Sequence, residues 1–216
     1  MNQIVTRFDS PPAIHVTGLG RATAVPDLAR VVLRVDLEGP DLARLTRENG
    51  DRLAAVVARL AALGIAERDR QTAGFRVAPR YDQKLQRHDG YRVANGVRVT
   101  VRDLARLGDV LAAGLEAGAT AASDIAFDLS DGRRDEALRR AREAAMREAR
   151  GKAEHYASLA GVGLGGVLSI VEGAAQPGGW RHAAIAMADA PPFARVPIEA
   201  GESELAVTVA VDYRIE

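Results

Sequence analysis

An α+β fold, with helices packed on a mixed but largely antiparallel sheet, follows from three features of this chain of 216 residues. Apolar and polar residues alternate in several separate runs of strand length. Stretches with helical spacing interrupt those runs, and the resulting order is ββαββαβαββ, a succession suited to helices laid against an antiparallel sheet.

The first strand is Ile14-His15-Val16-Thr17-Gly18, and Pro26-Asp27 turns the chain. Beyond the turn Ala29, Val31, Leu33, Val35 and Leu37 fall on one face, with Arg30, Arg34, Asp36 and Glu38 on the other, the pattern of a half-buried strand. Gly39-Pro40-Asp41 breaks it and opens a helix whose Leu42, Leu45, Leu53, Val56, Val57, Leu60 and Leu63 keep helical spacing, with Gly64 where a helix stops.

Two strands are predicted over 71–81 and 90–101, joined by the polar stretch 82–89. In the second, Val97, Val99 and Val101 share a face opposite Arg98, Thr100 and Arg102. Asp103 caps a short helix carrying Leu104, Leu107, Leu111 and Leu115, which Gly118 closes. Ile125, Phe127 and Leu129 then alternate as a strand.

Residues 131–160 form the longest predicted helix, with Asp135–Arg139, Glu136–Arg140, Glu143–Arg147 and Glu148–Lys152 in the favourable i,i+4 order. Ala137, Leu138, Ala141, Ala145, Ala149, Tyr156 and Leu159 give it a narrow stripe, mostly of small residues, that would lie close to a sheet. Strands over 164–171 and 205–213 finish the set. Between them, 173–197 is rich in Ala, Gly and Pro and lacks any sustained period; a connection of that length inside a compact domain is normally functional or mobile. We expect a short extension over 1–12 and a single domain over 13–216.

Composition excludes several classes of function. Twenty-nine basic residues balance 29 acidic ones, which argues against a general binder of nucleic acid or anionic membranes. Without cysteine there are no disulfides, thiolate metal sites or cysteine nucleophiles. Aromatic residues, at 4%, are too sparse for a stacking platform. All but two of the basic residues, Lys84 and Lys152, are arginine; because they are interspersed with acids, coding bias explains them better than a dedicated anion site. No apolar run reaches 18 residues, and residues 1–12 lack the apolar core of an export signal, so a cytoplasmic protein is expected from the sequence as written, or a periplasmic one if a leader has been trimmed.

Motifs for chemistry are thin. Gly161-Val162-Gly163-Leu164-Gly165-Gly166 satisfies G-x-G-x-x-G, but the dinucleotide fingerprint needs a strand before it and a helix after, and here the order is reversed. It reads instead as a helix C-cap followed by a turn. His15, His88, His155 and His182 are scattered over different elements without metal-site spacing, and no serine lies in a G-x-S-x-G elbow. No catalytic residue, cofactor or metal is therefore assigned. Tyr81 and Tyr91, beside Arg80 and Arg92, are candidate ligand contacts at the hairpin, against the reading that aromatics there simply stabilise the sheet. Trp180, Arg181, His182, Met187 and Phe193, large or polar residues in a small-residue loop, are either anchors into their own fold or contacts for a partner.

Taken in order, these residues resemble a SIMPL domain. The carriers are Ile14 to Gly20 with Pro26-Asp27, then Leu63-Gly64-Ile65, Asp69 and Gln71-Thr72, followed by Pro79, Tyr81, Gly90-Tyr91, Asn95 and the strand into Asp103-Leu104. Gly118-Ala119, Phe127-Asp128-Leu129-Ser130, the Ala-Arg-Lys-Ala helix near Ala149 to Ala153, and Gly201-Glu202 complete the match. The resemblance implies a bacterial protein of the periplasm or outer envelope, with relatives described as immunogenic or as oxidative-stress defence proteins, and at least one that forms ring-like oligomers. An animal relative is a kinase adaptor. The family has no established catalytic residues to carry over. This chain departs in lacking a visible leader and in carrying Leu19 where relatives are often acidic.

The leading expectation is a non-enzymatic, self-assembling binding or scaffold protein, a homo-oligomer with a link to stress tolerance, without nucleic acid and without a membrane span. The alternative is a small-molecule-binding protein or unrecognised hydrolase with a pocket near Tyr81 and Tyr91.

Overall fold

The computed structural model describes residues 11–82, 86–173, 176–177 and 201–216. Its elements run β1 (Ala13–Ala24), β2 (Leu28–Gly39), α1 (Leu42–Ala62), β3 (Arg70–Asp82), β4 (Arg87–Val101), α2 (Leu107–Glu116), β5 (Ala121–Asp128), α3 (Asp131–Ala160), β6 (Leu164–Glu172), β7 (Gln176–Pro177) and β8 (Ser203–Ile215). The α+β class and the predicted order hold, with β7 as a short addition. The strands divide between two sheets, one ordered β1-β8-β6 with β7 also beside β8, the other β3-β4-β2-β5, and every pairing is antiparallel. Contacts within the chain group the described elements into two compact units.

In one unit β1, β6, β7, β8 and α3 come together. The alternation of β8 is read out directly: Leu205, Val207, Val209, Val211 and Tyr213 are buried on one face. β1 pairs with β8 along its whole length, from Ala13 opposite Arg214 to Ala24 opposite Ser203. The alanine row of the predicted α3 stripe is its buried face: Ala137, Ala141, Ala145, Ala149, Ala153 and Ala157 are at most 4% exposed. Tyr156 and Leu159, expected on the same stripe, lie off the i,i+4 alanine row and are 57 and 72% exposed. With no side chain longer than a methyl on that row, and glycines at Gly18 and Gly20 of β1 facing it, helix and strand backbones meet at close range. A Cβ built on Gly18 would stand 2.0 Å from the Ala145 carbonyl oxygen.

The other unit holds β2, α1, β3, β4, α2 and β5. Ala29, Val31 and Leu33 of β2 and Val97, Val99 and Val101 of β4 form its core with Val56 and Leu60 of α1 and Leu107 and Val110 of α2. Burial of each of the larger aliphatics contributes about 1.5–3 kcal/mol. Asp41 caps α1 by accepting from the Arg44 N–H at 3.0 Å, and Asp103 accepts from the Ala105 N–H at 3.1 Å ahead of α2. Asn49 is a buried polar residue on the core face of α1; its amide donates to the carbonyls of Val35 at 2.8 Å and Val93 at 3.2 Å, tying the helix to two strands.

Among the described residues α1, α2 and α3 end alike. Gly64, Gly118 and Gly161 each have positive φ, and the following N–H reaches back to Leu60, Gly114 or Ala157 respectively, a 6→1 bond that only a left-handed residue permits. The G-x-G-x-x-G run therefore begins as the C-cap of α3 and continues into β6, as its element order required.

Candidate functional site

On the face of the second sheet opposite α1 and α2, register builds three rows across three strands. Arg34 of β2 lies opposite Gly96 of β4, which lies opposite Gly74 of β3. The next row is Asp36, Ala94, Arg76, and the third is Glu38, Arg92, Ala78. Small residues, Gly96 and Gly74 in the first row, Ala94 in the second and Ala78 in the third, stand among the charged ones. A groove of about 660 Å³ opens there, lined among others by Arg34, Asp36, Gly74, Arg76, Ala78, Arg92 and Ala94. Gly74 sits at a register shift with φ of 124°, a conformation that favours glycine, and leaves open space where a Cβ would stand.

Most charges on this face are held in ion pairs. Arg92 grips Asp36 through Nε at 2.8 and 2.9 Å and also through Nη2. Arg34 donates to Ser123 Oγ at 3.0 Å and Asp124 Oδ2 at 3.1 Å. The Arg34 guanidinium, then the Ser123 hydroxyl, hold the Asp124 carboxyl below its ordinary range. Arg80 bridges Asp89 and Glu38, with 2.7 Å to Glu38. The bonds to Asp89 and then Glu38 raise the Arg80 pKa, as the bond to Asp36 raises that of Arg92. Arg76 has no hydrogen-bond or ion-pair partner among the described residues.

The two tyrosines named from sequence do not line this groove. Tyr81 lies opposite His88, its ring packed edge-on at 5.5 Å, and Tyr91 lies opposite Pro79. They are not cross-strand partners of each other, because the hairpin closes nearer its tip than the polar stretch 82–89 implied: β4 begins at Arg87, paired with Asp82. Trp180, Arg181, His182, Met187 and Phe193 lie outside the described residues.

Two polar clusters escaped sequence reasoning as clusters, although their residues carry the family resemblance. Asp27 accepts from both the N–H (2.7 Å) and the Oγ (2.6 Å) of Ser130, so the Pro26-Asp27 turn is pinned to the segment after β5. Asp128, 5% exposed, pairs with Arg30 at 2.5 Å and accepts from the Leu129 N–H at 2.8 Å. Asp69, 8% exposed, receives a two-pronged grip from Arg102, with Nη2 to Oδ1 at 2.7 Å and Nε to Oδ2 at 3.0 Å. The Arg102 hydrogen bonds hold its carboxyl below the ordinary range, outweighing desolvation. Each buried acid is thus committed to structure.

The outer strands of the first sheet differ sharply. The edge of β1 is stitched by side chains of α3: Glu148 accepts from the Leu19 N–H at 2.5 Å, Lys152 donates to the Thr17 carbonyl at 2.8 Å, and Arg140 donates to the Thr23 carbonyl at 2.9 Å. Glu148 and Lys152, paired at 2.7 Å, realise one of the predicted i,i+4 contacts. Among the described residues β6 receives less cover from α3, whose Arg142 grips Glu172 at the end of the strand, with Nε to Oε2 at 2.8 Å. α3 packs mainly on β1 and β8, so Val167, Ile170 and Val171 remain 47, 55 and 61% exposed, with Leu168 beside them. β6 pairs with β8 on one side and with no described strand on the other.

The comparisons fit this architecture. The family model of SIMPL, described as a protein of unknown function (DUF541), matches residues 14–213 and so spans both units. The chain belongs to the SIMPL family. It is 32% identical to the 26 kDa periplasmic immunogenic protein of Brucella melitensis over 229 aligned positions, covering all of this chain and 88% of the relative. A protein of the same name from Brucella abortus matches equally. The uncharacterized protein YggE of Escherichia coli is 29% identical over 142 positions, covering 64% of this chain and 58% of that protein.

Proposed function

We propose that this chain is a non-enzymatic, self-assembling protein of the bacterial periplasm, in which copies join through β6. The observation that carries the reading is the contrast between the two outer strands of one sheet. Side chains of α3 bond the backbone of β1 along its edge, while the apolar stretch 167–171 of β6 is exposed and has no covering element among the described residues. An exposed apolar edge strand is a template for another strand, and proteins normally blunt it with charge, proline or a covering element. The favoured occupant is a second copy. Val167-Leu168-Ser169-Ile170-Val171 has apolar residues disposed symmetrically about Ser169. Antiparallel pairing of two copies about Ser169 would bring Val167-Leu168 of each copy against Ile170-Val171 of the other, a self-complementary two-fold contact, with the register shift of β6 between Val167 and Ser169 bending the strand on that side.

The non-enzymatic half rests on the chemistry of the acids: Asp69 and Asp128 are locked by arginines, and Asp27 by Ser130. The names of the Brucella relatives support periplasmic placement and speak against the cytoplasmic expectation. A link to stress tolerance belongs to the same proposal through the family resemblance. Sedimentation velocity tests the assembly. The parent should sediment as a dimer or larger species at tens of micromolar, and Ile170→Lys should shift it to monomer with an unchanged melting temperature. A parent that stays monomeric, or a variant that assembles equally well, refutes the reading.

A further inference from the structure

We infer that the groove on the second sheet is a binding site for a small molecule bearing a carboxylate or phosphate group, with Arg76 as its principal contact. This stands apart from the assembly reading, since it concerns other strands. An ordinary solvated face pairs its charges, and this one does so at Arg30, Arg34, Arg80 and Arg92. Arg76 and Arg98 depart from that pattern, neither having a hydrogen-bond or ion-pair partner among the described residues, and of the two it is Arg76 that lines the groove.

Its neighbours complete an anion-binding arrangement. Arg76 lies opposite Ala94, and Arg92 is two residues along the same strand from Ala94. Such diagonal neighbours have Cα atoms about 7–8 Å apart, within reach of two long side chains converging on one oxyanion. Arg92 is oriented by Asp36 through Nε and Nη2, and Arg34 by Ser123 and Asp124 through the same two nitrogens, so each holds a fixed guanidinium with Nη1 unengaged. Pre-oriented planar forks suit carboxylate and phosphate oxygens, and little entropy remains to be lost on binding. Of the three guanidiniums that line the groove, Arg34 is offset by Asp124 and Arg92 by Asp36, so the positive charge left without a counter-charge in contact is that of Arg76. Gly74, Ala78 and Ala94 leave room between them for an organic body, and the volume lies within the range of small-molecule sites.

Calorimetric titration of the full chain with citrate and with pyrophosphate, at low and at physiological salt, tests the assignment. At least one should bind, more weakly as salt rises. Arg76→Gln should lower the affinity tenfold or more, and Ala94→Leu, which fills the groove without altering charge, should also weaken binding, both with unchanged melting temperature. Arg147→Gln on α3 should leave affinity as it was. Preference for citrate or for pyrophosphate identifies the headgroup and supports the site either way. Absence of binding by both at 10 mM, or equal losses for Arg76→Gln and Arg147→Gln, overturns it; so does full affinity in Ala94→Leu.

Discussion

Gly18 of β1 and Ala145 of α3 meet backbone to backbone: a Cβ on Gly18 would lie 2.0 Å from the Ala145 carbonyl oxygen, and one on Gly20 1.8 Å from that of Ala141. Neither carbonyl oxygen can swing aside, because both belong to the helix backbone. Glycine in a strand ordinarily costs stability relative to alanine, so a Gly→Ala exchange there is expected to help wherever room exists. Here the sign reverses. Gly18→Ala and Gly20→Ala should each destabilise by about 1–3 kcal/mol or more through overpacking, read as a lowered denaturant midpoint. Gly132→Ala, where a Cβ meets nothing within 4 Å, should be neutral or stabilising in the same assay.

That contact shows what was legible in the sequence. The Ala137–Ala149 stripe announced a helix close to a sheet, because spacing of i,i+4 is a local property. The partner was not announced, since Gly18 is more than a hundred residues away and an unpaired glycine in a strand has several meanings. The alternation of β2 and β8 and the helix stops at Gly64, Gly118 and Gly161 were equally local. Division into two sheets was not: β1 finds its partner in β8 at the far end of the chain, Ile14 opposite Tyr213, and no local pattern encodes that choice. The groove stayed hidden for the same reason. Arg34, Asp36, Arg76 and Arg92 become neighbours only through the register of β2 with β4 and of β4 with β3. Tyr81 and Tyr91 drew notice by residue type, yet the register gives each another partner.

Asp69 and Arg102 make stability depend on pH. The folded-state pKa of Asp69 lies below its ordinary value of 3.8, chiefly through the Arg102 hydrogen bonds. The unfolded chain therefore takes up the proton first as pH falls. The contribution is fully present above the unfolded pKa and is lost progressively below about pH 4. Asp69→Asn should lower stability at pH 7 by about 1–3 kcal/mol and flatten the acid limb of the profile. Parallel denaturant melts of parent and variant from pH 2 to pH 7 check it: their gap should narrow on acidification, and a constant gap counts against the ion pair as its cause.

Ser130 supplies Asp27 with two hydrogen bonds, one from its backbone N–H and one from its hydroxyl. Ser130→Ala removes the second and should cost about 1–2 kcal/mol, as hydrogen bonds to charged groups do. Asp27→Ala removes both and should cost more. Because the variants share a partner, the double variant should fall short of their sum; additive losses in a denaturant-melt cycle would separate the two residues energetically.

The central claim is that copies of this chain join through β6, antiparallel about Ser169. The chain contains no cysteine, so Ser169→Cys introduces a single thiol at the centre of the proposed contact. Facing Cα atoms of an antiparallel pair are about 4.5–5.5 Å apart, within disulfide range. Mild oxidation of Ser169→Cys at micromolar protein should yield a covalent dimer rapidly and nearly completely, while Glu154→Cys on α3 should yield little under the same conditions. Equal, slow cross-linking of the two variants, or a Ser169→Cys protein that stays monomeric, would contradict the account.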